Sequence, residues 1–96
     1  MNTSKHLSLL GLRVQDKVTR FTGVVTSICF DLYGCVQALV HPGTDAQGII
    51  QEQIWFDVSR LEIMNKKPVM APPNYETGPQ AEGKQGASEK PKPTTA

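Results

Sequence analysis

The chain is poor in several features that usually mark a function. It has two cysteines, Cys29 and Cys35, two histidines, His6 and His41, and only 6% aromatic residues. That spacing of Cys and His matches no paired-cysteine zinc pattern. No apolar run approaches the ~20 residues of a membrane span. His6 to Leu12 is too short and too broken to serve as the hydrophobic region of a signal peptide. The expectation is therefore a protein without membrane contact in a cytoplasmic setting, where both cysteines remain thiols. Asn2-Thr3-Ser4 matches a glycosylation acceptor, which without secretion has no consequence. No Gly-rich phosphate loop, no carboxylate pair on one element and no Ser-His-Asp order is found. The chain is accordingly expected to be no enzyme and to hold no metal and no cofactor.

Charge of one sign is lacking too. The formal net charge is +1. The last 32 residues hold five lysines against three glutamates, so the first 64 carry five bases and six acids. Nucleic-acid-binding barrels of this size normally carry a basic stripe that neutralises phosphates. This core has no such excess, although Arg13, Lys17 and Arg20 crowd its first third.

What is present divides unevenly along the chain. Six of the seven prolines lie after Asn65. Beyond Tyr75 no large apolar residue follows, so that stretch cannot bury enough surface to offset its ordering entropy. The expected organisation is a flexible N-terminus over 1–8, a β-barrel over 9–64 and a Pro/Gly-rich, mostly disordered tail over 65–96, from which Val69 and Met70 can still dock. Pro72-Pro73-Asn74-Tyr75 fits a P-P-x-Y ligand pattern, a match that chance explains.

The core reads as strands. Leu12, Val14 and Val18 alternate with Arg13, Gln15 and Lys17, the period of a half-buried strand. Thr22-Gly23 breaks the run. Val24–Phe30 and Val36–Val40 are β-branched segments, and Ile49–Phe56 is another strand. Pro42 to Gly48 is a turn-rich loop. Asp57-Val58-Ser59-Arg60 suggests one helical turn before a closing strand, Leu61–Met64. Five short antiparallel strands in under 60 residues predict an all-β fold, a small SH3-like barrel with a disordered C-terminal tail.

The run from Val14 to Val25, with Leu32-Tyr33-Gly34-Cys35, Trp55-Phe56-Asp57 and Arg60-Leu61, resembles SH3-like, KOW-type barrels. The set is similar to small, poorly characterised proteins encoded by tailed phages and prophages. The resemblance covers residues 11–64 and implies a bacterial host cell as the setting. It brings no activity with it.

The hairpin at Phe30-Asp31-Leu32-Tyr33-Gly34-Cys35-Val36 fixes a register. A three-residue loop with Gly34 in the left-handed region sets Asp31 opposite Cys35, Phe30 opposite Val36 and Ile28 opposite Ala38. Continued regularly, it sets Thr26 opposite Val40 and makes Val24, Thr26, Ile28, Phe30, Val36, Ala38 and Val40 the core face. Cys29 then lies diagonal to Cys35, roughly 7 Å apart or more, which is poor disulfide geometry.

Cys35 as a nucleophile would need an adjacent base, and His41 is about 20 Å along the same strand. The residues expected to form a contact surface are Tyr33, Cys35, Gln37, Trp55 and Asp57. If Ile54 and Phe56 point inward, Trp55 points out, where tryptophans favour binding surfaces. It could instead cover a barrel end or pack under Val69 and Met70. The leading expectation is a non-enzymatic module working through a protein partner or self-association. The alternative is a nucleotide or nucleic-acid binder, stacking a base on Tyr33 and Trp55 with Arg13, Lys17 and Arg20 nearby.

Overall fold

The structure, a computed structural model, describes residues 3–74. A short helix, α1 (Thr3–Leu7), precedes five strands: β1 (Arg13–Asp16), β2 (Thr22–Phe30), β3 (Val36–His41), β4 (Ile54–Asp57) and β5 (Leu61–Asn65). They form one antiparallel sheet in the order β4-β3-β2-β1-β5. No ladder joins β4 to β5, so the sheet is open. A 3-10 turn (Val58–Arg60) carries the chain from β4 to β5, as the sequence led us to expect, and Asp57 caps it by accepting from the Ser59 amide. Residues 75–96, where most of the expected disorder and Tyr75 of the P-P-x-Y match fall, lie outside the described residues.

The buried apolar cluster is Leu12, Val14, Val25, Ala38, Val40 and Phe56, with Leu9, Leu10, Phe21, Ile28, Val58 and Leu61 packed against it. β2 organises it. Its first half pairs with β1 and its second with β3, and Val24 belongs to both ladders, opposite Arg13 and His41. A strand that serves two ladders must bend, and a bulge supplies the bend. Pairing runs Phe30 to Val36, Cys29 to Gln37, Ile28 to Ala38 and Ser27 to Leu39, then resumes at Val25 to Val40, leaving Thr26 as the extra residue.

The bulge corrects the expected core face. The register holds up to Ile28, but beyond the extra residue the inside and outside positions exchange. Val25, not Val24, is buried at 1% exposure, and Thr26 points away from the core. Its hydroxyl is instead 3.1 Å from Gln53 Oε1 and 3.4 Å from the Leu39 carbonyl. Phe30 has the expected parity yet remains 39% exposed, because it lies past the edge of the packed cluster. His6 of α1 meets it edge-on at 6.0 Å between ring centres.

Three further expectations are corrected. β1 ends at Asp16, so Val18 is not in a strand and is 73% exposed. The chain turns at Lys17–Arg20, with Arg20 at φ 69°. Thr22-Gly23 does not interrupt a strand but begins β2. The strand expected over Ile49–Phe56 is reduced to Ile54–Asp57, preceded by an isolated bridge between Thr44 and Ile50.

Two turns are built alike. In the β2–β3 turn, Asp31 Oδ1 accepts from the amides of Tyr33 and Cys35, the Gly34 amide donates to the Asp31 carbonyl, and Gly34 has φ +90°. In the β3–β4 loop, Asp45 Oδ1 accepts from the amides of Gln47 and Ile49, the Gly48 amide donates to the Asp45 carbonyl, and Gly48 has φ +82°. Asp-x-x-Gly is the shared sequence. The aspartate satisfies two amides that the tight turn leaves without backbone partners, and glycine takes the left-handed position without Cβ strain. Asp31→Ala and Asp45→Ala are each expected to cost about 1 kcal/mol in urea unfolding. Replacement by Asn, which keeps the acceptor oxygen, should cost less than half of that.

The chain after β5 returns to the domain. The Val69 amide donates to the Gly11 carbonyl at 2.9 Å, and Pro68 Cβ would lie 3.3 Å from a Cβ placed on Gly11. Val69 and Met70 thus dock as expected, although through the backbone: their side chains remain 55% and 71% exposed. With Leu10, Val24 and Val25 they line an open groove of about 350 Å³.

Candidate functional site

The sheet face opposite the core gathers most of the residues singled out for contact. Its rows follow from the ladders. Ser27, Leu39 and Trp55 form one, and Cys29, Gln37 and Asp57 form the next. Phe56 is buried at 6% exposure, which turns its neighbour Trp55 outward, 45% exposed. Tyr33 sits at the hairpin tip, 86% exposed beside Leu32 at 91%. Gln37, Trp55 and Asp57 therefore lie on adjoining positions of β3 and β4, Cys35 lies two residues before Gln37, and Tyr33 projects from the end.

Electrostatics give this patch an acidic corner. The Asp31 carboxylate, first of all, pushes the Cys35 thiol above its ordinary value, and desolvation and Asp57 push in the same direction. Thiolate is the reactive form, so Cys35 is held in its less reactive state. Both cysteines are free and exposed. Alkylation of Cys35 by iodoacetamide at pH 8, read by peptide mass spectrometry, is expected to be several-fold slower than that of an unstructured peptide thiol. Asp31→Asn should speed it, because the charge goes while the turn keeps its acceptor. No acceleration would remove Asp31 as the cause.

Asp57 has a structural task as well. Its Oδ1 accepts from the Ser59 amide at 3.1 Å and the Ser59 hydroxyl at 2.9 Å, and these bonds hold its carboxyl below the usual carboxylate range. Gln37 and Trp55 carry no such bond and are free to meet a partner.

Arg13, Lys17 and Arg20 do not join the aromatics. Arg13 stands at the start of β1, opposite Val24 and Asn65. Lys17 and Arg20 stand beyond its other end, about 13 Å along the strand. The Lys17 amide donates to the Arg60 carbonyl and its Nζ approaches the Ser59 carbonyl at 3.4 Å. β1 is three places from β4 in the sheet. Among the described residues no three His, Cys, Asp or Glu come together in a way that could hold a metal ion.

Sequence reasoning missed one polar centre. Asp16 is fully buried, its two oxygens gripped by Arg60 Nε at 2.8 Å and Nη2 at 2.7 Å, while the Thr19 amide and hydroxyl complete its shell at 2.9 and 2.6 Å. Arg60 also lies over the Phe56 ring, 5.2 Å from its centre. The only sequence signal was an aspartate at a position whose parity, shared with Leu12 and Val14, points inward.

No family model, curated protein or solved structure matches the chain.

Proposed function

We propose that the chain is a non-enzymatic binding module that acts through protein contacts made by the outer face of β3 and β4. In its finer architecture it is a small SH3-like barrel. The strand order and the 3-10 turn just before β5 support that assignment. The resemblance read from the sequence to proteins of tailed phages supports a partner that is a protein of the bacterial cell or of the virion.

The observation that carries the reading is Trp55. A large aromatic side chain is held nearly half exposed on a strand whose neighbours Phe56 and Val40 anchor the core. Rigid, half-exposed aromatics on a strand give large contact area at low entropic cost. Leu39 beside it and Gln37 one row away extend the surface.

Trp55 is the sole tryptophan, so its emission reports directly on the face. Titration with a single-stranded oligonucleotide at low salt is expected to leave that emission unchanged. Quenching reversed by salt would replace this reading with the nucleic-acid alternative, in which Tyr33 and Trp55 stack on bases and Arg13, Lys17 and Arg20 meet phosphates. Affinity capture from the host should yield a protein retained by the wild-type chain and lost by folded Trp55→Ala.

A further inference from the structure

The two strands that end the sheet are protected very differently. β5 carries Glu62, and its pairing with β1 contains a register shift between Arg13 and Val14. Charges and irregularities of this kind discourage a further strand from adding. β4 has neither. Ile54, Trp55 and Phe56 run without charge, proline or bulge to Asp57, and the side of β4 away from β3 has no ladder among the described residues. Alternate amides and carbonyls on that side therefore have no sheet partner. Ile54 and Trp55 flank them at 40% and 45% exposure.

We propose that β4 pairs antiparallel with β4 of a second copy of this chain, about a two-fold axis at Trp55, so that two sheets become one. The proposal rests on the binding-module reading and names the partner that meets the β4 edge. Self-complementarity argues for a copy. In this register Trp55 opposes its counterpart on the outer face, and Ile54 opposes the partner's Phe56 on the inner face. Gln53 opposes the partner's Asp57. Directly opposed residues in an antiparallel pair share a face, so apolar meets apolar and an amide meets a carboxylate, with no like charges opposed.

The charge balance favours the same occupant. Residues 3–74 hold seven Lys or Arg and six Asp or Glu, and the sequence pI is about 7.8. Two copies scarcely repel near neutral pH, and a strongly charged partner would find little overall field to complement. The gain is also greatest for a domain of this size, whose core is small and whose Ile54 is only partly covered. Four residues per strand bury less than a standard interface, so the association should be weak, with a Kd on the order of 100 µM.

Sedimentation velocity of the full chain from about 5 µM to about 1 mM should show a monomer passing to a dimer by mass action. Trp55→Lys and Trp55→Glu, each checked for fold by circular dichroism, should each remain monomeric, because like charges then face across the axis. An equimolar mixture of the two should regain the dimer. A wild-type chain that is monomeric throughout, or a folded Trp55→Lys that associates as the wild type does, would overturn the proposal. If either variant does not fold, hydrogen exchange on the wild type decides. β4 amides should gain protection with concentration while β5 amides do not, and equal behaviour overturns the pairing. A monomeric chain that still captures a Trp55-dependent protein would overturn the pairing and leave the binding-module reading standing.

Discussion

Gly23→Ala is expected to be the most damaging single-methyl change in this protein. A Cβ built on Gly23 would lie 2.7 Å from the carbonyl carbon of His41, closer still to its oxygen, and 2.8 Å from Val40 Cγ1. Two of these three obstacles are backbone atoms in a paired strand, and they cannot rotate aside. Gly23 is buried and pairs with Val14, itself fully buried, so β2 cannot withdraw without opening the core. Overpacking of this kind costs about 3 kcal/mol or more. For a domain of this length that corresponds to a Tm lower by roughly 10–20 °C, or to failure to fold at 37 °C. Gly48→Ala is the control. Its φ of +82° is strained for alanine, but no atom lies within 4 Å of the new methyl. It should cost only about 1 kcal/mol. Equal losses in thermal unfolding for the two variants would show that no close approach operates at Gly23.

The second large effect is expected at Asp16. Arg60's hydrogen bonds, helped by the Thr19 hydroxyl and amide, hold the Asp16 carboxyl well below the usual carboxylate range against the opposing effect of burial. A depressed folded-state value means that the ionised carboxylate stabilises the fold. That contribution is complete above the unfolded value of about 3.9 and is lost as pH falls toward the folded one. Tm should therefore be level from neutral pH to about pH 5 and fall steeply below about pH 4. Asp16→Asn should lower Tm at pH 7 by about 10 °C and flatten the acid fall, since the titrating group is gone. Arg60→Met should be at least as harmful at pH 7, because it leaves a buried carboxylate without its cation. An acid limb as steep in Asp16→Asn as in the wild type would assign the fall to other carboxylates. The pair matters to the candidate site as well. It ties β1 to the turn that Asp57 caps, and so fixes the end of β4 on which Asp57 and Trp55 stand.

The hairpin was legible because its determinants are local. Asp31 and Gly34 fix a turn by their own chemistry, and the turn fixes the pairing of Phe30 with Val36. The same signal stands at Asp45 and Gly48, three residues apart in the same order, but reads only as part of a turn-rich loop because no strong alternation flanks it. The outward turn of Trp55 was also legible, since Phe56 and Trp55 cannot share a face.

Other features have no local cause. The bulge at Thr26 exists because β2 must serve both β1 and β3, and no property of Val24, Val25 or Thr26 alone says which valine goes inside. Val18 looked like a continuation of β1, but the chain turns there on Asp16, which accepts from the Thr19 amide and hydroxyl, and only Arg60, 44 residues later, lets that carboxylate be buried.

By itself, then, the sequence determined the class of structure, an antiparallel sheet of five strands. It also determined the tip of its central hairpin and the outward turn of Trp55. Periodicity and turn chemistry act between near neighbours, which is why they can be read along the chain. Tertiary structure alone decided which residues fill the core after the bulge, that Gly23 must remain bare and that Asp16 is buried on Arg60. It also decided that β4 ends the sheet with an unguarded edge. Each of these depends on the approach of segments far apart in sequence, where steric exclusion and desolvation act only once the chain has folded.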